Sequence, residues 1–125
     1  MSLAGLDRLF AICLGCILLG WSVINLPAFW RTADAERMAA EIVGGRSFQT
    51  ELVDARLAEA EAPDALGLCR ASAKRAAAVL RLYLYEEAFA IGRTDLVDDR
   101  QKALDRDLRE ALHCLPSDPY LWLLL

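Results

Sequence analysis

Four cysteines and a single histidine carry most of the nucleophilic and metal-binding potential of this 125-residue chain. Cys13-x-x-Cys16 has the spacing of redox and metal motifs in soluble proteins. Here it sits in the uncharged run "LFAICLGCILLGWSVINL", with no nearby His or acidic ligand, so metal binding is not expected. His113 stands alone, which excludes a histidine-rich metal site. It adjoins Cys114, but adjacent helical positions point about 100° apart, and no third group is evident to orient a thiolate–imidazole pair. Asp95, Asp98 and Asp99 cluster without the glycine and terminal Glu of a calcium loop, and they suit the start of a helix, whose dipole favours acids. Gly44-Gly45 precedes "RSF" with no strand before it, so it does not form a phosphate-cradling loop. The residue inventory therefore predicts no catalytic group, no cofactor and no metal: the chain is expected not to be an enzyme.

The elements that hold these residues begin with the apolar run itself. Composition is 56% hydrophobic, with the excess at the N-terminus, which points to a membrane segment in preference to a greasy core. Leu9 to Leu26 spans roughly 27 Å as a helix, close to the ~30 Å hydrocarbon thickness. Phe29 and Trp30 follow where an interfacial aromatic anchor belongs, with Arg31 next and Pro27 placed to kink or end the helix. A retained single-pass anchor is the preferred reading. A cleaved signal peptide is the competitor, because Ala33-Asp34-Ala35 imitates an A-x-A site, but the apolar run exceeds the usual ~7–15 residues. "CLGC" is a poor lipoprotein signal, with Cys13 and Leu14 at positions that favour Leu and a small residue. Within the run, Cys13, Cys16 and Gly20 lie within about 60° of one another at ~100° per residue. They form a strip of small side chains suited to contact with another membrane helix. Arg8 before the run and Arg31 and Arg37 after it leave orientation almost undecided by charge. The expectation is an inner-membrane, single-pass protein of bacterial type with its soluble part in the periplasm.

Beyond the anchor (1–30), Ala, Leu and charged residues dominate and β-branched runs are scarce, which predicts an all-α fold. The net charge of −4 lies entirely in this part, because Asp7 and Arg8 cancel. An acidic domain without a basic stripe argues against nucleic acid. Residues 31–63 read as a short helical linker region. Ala35, Met38, Ala39 and Ile42 make one face of a helix ended by Gly44-Gly45. Ser47 is the expected cap of a second helix bearing Phe48, Leu52, Val53 and Leu57. Residues 64–125 read as a helical hairpin plus the start of a further helix. Pro63 opens the first arm, about Asp64 to Ile91, whose seam is Leu66, Cys69, Ala73, Ala76, Leu80 and Tyr83. Gly92 closes it, and the second arm, about Asp98 to Cys114, carries Leu104, Leu108, Ala111 and Leu115. Asp105 and Arg109 pair four apart on its wet side. Arg70, Lys74, Arg75 and Arg81 form a basic stretch that reads as solvated surface, or as a dock for an acidic partner or lipid headgroups.

Cys69 and Cys114 lie about 33 Å and 26 Å along their arms from the connecting turn, at ~1.5 Å per residue. An antiparallel hairpin brings them near each other. Two readings stay open: a disulfide across the open end, or two buried thiols acting as small apolar residues.

The tail "REALHCLPSDPYLWLLL" resembles the junction between two tetratricopeptide repeats. Ala111 matches the family's small position, Pro116 its helix-ending proline, Trp122 its opening aromatic and Leu125 the following leucine. One ~34-residue period back, Gly92 falls on the family's glycine and Ile91 on a position where Leu is usual. Asp95 and Leu104 depart from the pattern. The resemblance covers the last third of the chain and implies a degenerate repeat-like hairpin that binds a protein through helical surfaces. It leaves Leu121 and Leu123 to Leu125 exposed unless more protein, a partner or the bilayer covers them, or the final turn folds back onto its own hairpin.

Together these readings predict a membrane-anchored helical scaffold or adaptor. Its contacts would be a protein partner and membrane lipid, with no small-molecule substrate and no nucleic acid. Tyr120, Trp122 and Leu125 are the expected partner contacts, Trp30 the interface anchor, and Cys13, Cys16 and Gly20 the membrane-helix contact. The alternative is a small accessory or assembly subunit of a multi-subunit membrane complex, held chiefly by its transmembrane helix.

Overall fold

The computed structural model describes residues 3–62 and 69–125, and every regular element among them is an α-helix. The elements are α1 (Leu3–Val43), α2 (Thr50–Glu61), α3 (Ala71–Ala90), α4 (Thr94–Cys114) and α5 (Pro119–Leu124). Pro63, Asp64 and Leu66, with which the sequence opens its longest helix, lie outside the described residues. Cys69 and Arg70 precede α3 and are not helical.

Pro27 neither ends α1 nor separates an anchor from a linker helix. α1 is a single 41-residue helix with Pro27 inside it. An interior proline costs about 3 kcal/mol through its missing N–H and ring clash. The loss is offset because the next turns bury Thr32, Ala35, Met38 and Ala39 against the rest of the molecule. The first half, Gly5–Pro27, is long and apolar enough to cross a membrane and none of it is buried. One continuous helix thus joins an unpacked apolar stretch to the interior of a helical domain.

Two helices end in the same way. Arg46 N–H bonds Glu41 O at 2.9 Å while Gly45 sits at φ 89°; Arg93 N–H bonds Ala88 O at 3.0 Å while Gly92 sits at φ 71°. Each is the six-to-one closure that needs a left-handed residue. Gly92→Ala is expected to lower unfolding stability by about 1 kcal/mol, because the left-handed region penalises a Cβ by that much. A denaturant midpoint equal to that of the parent chain would contradict this.

α3 is the central helix, with a core on each side. Ala76, Ala77, Leu80 and Leu84 pack against Ala35, Met38 and Ala39 of α1 and Val53, Leu57 and Ala60 of α2. On its other side, Ala78 meets Leu104, Leu108 and Ala111 of α4 and Leu121 of α5. The alanines let the neighbouring backbones approach closely, and burial of both faces supplies the stability that short helices lack alone.

α2 starts at Thr50, three residues after the expected Ser47 cap, and no side chain caps it. The loop before it is held from a distance. Phe48 N–H donates to Tyr83 Oη at 2.9 Å, and that hydroxyl donates to Phe48 O at 2.8 Å. Thr50 Oγ1 donates to Glu87 Oε2 at 2.6 Å. Of the apolar positions of this helix, Leu52 is exposed, whereas Val53 and Leu57 are buried. α4 begins at Thr94, ahead of the expected Asp98, once Arg93 grips Asp95 with two bonds of 3.0 and 2.8 Å.

Of the alternatives open for the tail, the structure shows the fold-back onto the hairpin. Asp118 Oδ1 accepts the Tyr120 N–H at 3.0 Å and caps α5, which folds back onto the hairpin. Leu121 is completely buried, Leu124 packs beside it, and Tyr120 rests against the α1–α2–α3 core.

Candidate functional site

The orientation of α3 follows from three contacts. Ser72 Oγ donates to Glu36 at 2.9 Å, whereas Tyr83 and Glu87 meet Phe48 and Thr50, beyond the end of α1. α3 therefore runs in the same direction as α1. The hairpin's closed turn at Gly92 is the end remote from the apolar stretch, and its open end lies beside that stretch.

That open end is joined covalently. Cys69 and Cys114 form a disulfide with Cα atoms 5.7 Å apart, linking the second residue before α3 to the last residue of α4. Cys13 and Cys16 are free and exposed. Between the open end and α1 is a cleft of about 420 Å³, walled by Trp21, Ser22, Leu26 and Phe29 on one side and by Cys69 and Arg70 on the other. Asn25 also lines it, with its amide nitrogen bonded to Trp21 O at 2.8 Å.

A four-residue charge cluster, not among the expectations from the sequence, lies in the body of the domain. Arg81 bonds Glu61 at 2.7 Å and Asp107 at 3.1 Å, and Arg106 bonds Asp107 at 3.0 Å and Glu61 at 3.4 Å. The cluster ties the end of α2 to α3 and α4. Asp107 is only 4% exposed. Burial pushes the Glu61 carboxyl above its ordinary value, reinforced by its hydrogen bond to Asp107, against the pull of Arg81. Burial also works to raise Asp107, but hydrogen bonds from Glu61, Arg106 and Arg81 outweigh it and hold that carboxyl below the usual range. The legible signal was position: Asp107 falls within the Leu104–Leu108–Ala111 stripe, where an acid needs a partner. The cluster is structural in geometry, with its charges facing one another.

The basic stretch is largely consumed by such pairs. Lys74 bonds Glu110 at 2.7 Å, and Arg75 meets Asp118 at 3.5 Å while lying over the Tyr120 ring, 5.5 Å from its centroid. Arg70 meets no carboxylate among the described residues. On α4, Arg109 bonds Asp105 at 2.8 Å on the solvent side.

The structure brings together only some of the residues singled out in the sequence. Tyr120 is engaged internally, whereas Trp122, Leu123 and Leu125 are exposed, Leu123 by 84%. Trp122 Nε1 donates to Pro116 O at 2.8 Å, which fixes the indole beside the turn that follows Cys114. Trp30 is exposed and meets Phe29 edge-to-face at 6.5 Å. Cys13, Cys16 and Gly20 are open, and a Cβ on Gly20 would meet nothing within 4 Å. The helix is bare on all sides there, so exposure does not single out their strip. Among the described residues, no three His, Cys, Asp or Glu side chains converge as a metal site requires. No family model, curated protein or solved structure matches the chain.

Proposed function

We propose that the chain is a membrane-anchored helical scaffold that holds a protein partner close to the bilayer. The observation that carries this reading is the continuity of α1: an apolar stretch of membrane-spanning length runs without a break into the core of a helical domain. Removal of the stretch as a signal peptide at Ala33-Asp34-Ala35 would discard Thr32 and Ala35, which the domain buries. A retained anchor is therefore favoured over a leader.

The disulfide favours an oxidising compartment for the domain, and hence the periplasmic side of an inner membrane. Trp122, Leu123 and Leu125 are the proposed partner surface; Tyr120 supports α5 from beneath. The domain is proposed to be a degenerate tetratricopeptide-like hairpin, in which the α5 flank takes the place of the next repeat's packing surface. The work of the chain is non-catalytic under this reading. The accessory-subunit alternative draws on the open strip of Cys13, Cys16 and Gly20, whose small side chains admit a neighbouring membrane helix.

Photo-cross-linking in intact cells tests both. A photoreactive residue at Leu123 is expected to trap a discrete protein, and Trp122→Ala is expected to reduce the yield roughly tenfold or more, as for a central apolar contact. A partner trapped from position 20 and not from position 123 would favour the accessory-subunit reading. Adducts from neither position would refute both.

A further inference from the structure

We propose that the cleft between α1 and the disulfide-closed end of the hairpin binds an anionic phospholipid. Trp21, Ser22, Asn25 and Leu26 all line the cleft and all belong to the apolar stretch Gly5–Pro27. With that stretch in a bilayer, the cleft opens at the depth where acyl chains give way to headgroups. Its α1 wall of Trp21, Leu26 and Phe29 is apolar and suits the upper part of an acyl chain. Ser22 and Asn25 add polar groups on the same wall.

The opposite wall supplies the charge. Arg70 lines the cleft and meets no carboxylate among the described residues, although Lys74, Arg75 and Arg81 on the helix it precedes each do. A guanidinium that meets no carboxylate among the described residues, set at headgroup depth, matches a lipid phosphate by charge and by its forked donor geometry. The beginning of α3 lies at the same wall: Arg70 occupies its N-cap position without a side-chain cap bond, and the carboxylate at this helix start, Glu36 of α1, is engaged by Ser72 Oγ at 2.9 Å. The Cys69–Cys114 bridge fixes this wall, since Cys69 both lines the cleft and is tied to the end of α4. Lipid is favoured over a protein segment because most of the lining lies within the membrane stretch itself.

The test uses the full chain in detergent micelles supplied with equal amounts of phosphatidylglycerol and phosphatidylcholine, read by native mass spectrometry. Wild type is expected to retain phosphatidylglycerol about fivefold over phosphatidylcholine, the factor expected of one basic residue at a headgroup. Arg70→Gln should bring the two to parity, Ser22→Trp should displace both by filling the cleft, and Lys102→Gln should change nothing. Excess inorganic phosphate should leave the bound lipid in place; its displacement by phosphate alone would assign the site to free phosphate and overturn the proposal. Equal retention by wild type and Arg70→Gln would also overturn it. The proposal rests on α1 as an anchor. A chain that leaves membranes in carbonate without detergent refutes the anchor, whereas an unselective chain that requires detergent refutes this site alone.

Discussion

Replacing Cys69 and Cys114 together by serine should lower the unfolding free energy by about 4 kcal/mol, the chain-entropy value for a closed loop of this length. The bridge spans 45 residues of sequence and closes the whole α3–α4 hairpin at its open end. The paired substitution avoids a lone reactive thiol. In a small domain such a loss corresponds to a melting temperature lower by roughly 20 °C, readable by circular dichroism of the detergent-solubilised chain. Reducing agent should reproduce the effect in wild type and leave the double variant unchanged. The damage should begin at one end. Cys69 is exposed and non-helical, so without the bridge it and Arg70 lose their covalent hold at the start of α3. Limited proteolysis should then cut near Arg70 before it cuts anywhere in α4. A double variant with the melting point of wild type would show that packing alone holds the hairpin closed.

The location of that bridge illustrates what the sequence could and could not convey. Helical spacing along two arms placed Cys69 and Cys114 at similar heights, because rise per residue is fixed by the backbone. The seams Ala73–Ala76–Leu80 and Leu104–Leu108–Ala111, the stop at Gly92 and the Asp105–Arg109 pair are local patterns of the same kind, and all are legible in order along the chain. Contacts between distant segments are not. α2 begins at Thr50 because Tyr83, 35 residues from Phe48, takes both backbone groups of that loop residue. Leu121 is buried because Ala78, Leu104 and Leu108 together make a surface that no short window displays. α1 passes through Pro27 because tertiary packing of the turns beyond it outweighs a local penalty. The cleft is not legible in the sequence for a related reason: its two walls come from segments at least 40 residues apart in the chain, and only the parallel course of α1 and α3 brings them together.

Asp107→Ala should cost about 3 kcal/mol at neutral pH, because it leaves the half-buried Arg81 and its neighbour Arg106 short of a partner while Glu61 remains. Asp107→Leu, similar in volume and apolar, is expected to cost less only when Arg81 is also made apolar, since the penalty lies in the stranded guanidinium. The two acids make opposite contributions with pH. The Asp107 carboxyl is held below its unfolded value of about 3.9, so its contribution is present above that pH and disappears as pH falls through the folded value. Glu61 is raised above its unfolded value of about 4.3, so its contribution is complete below that pH and disappears as pH rises through the folded value. Glu61→Gln should therefore gain on wild type as pH climbs from 4 to 7, while Asp107→Asn should approach wild type as pH falls below 4. Chemical denaturation across pH 3–8 measures both slopes. Parallel curves for wild type and the two variants would mean that the acids titrate alike in the folded and unfolded chain, and that the cluster does not couple α2 to α4 through its protons.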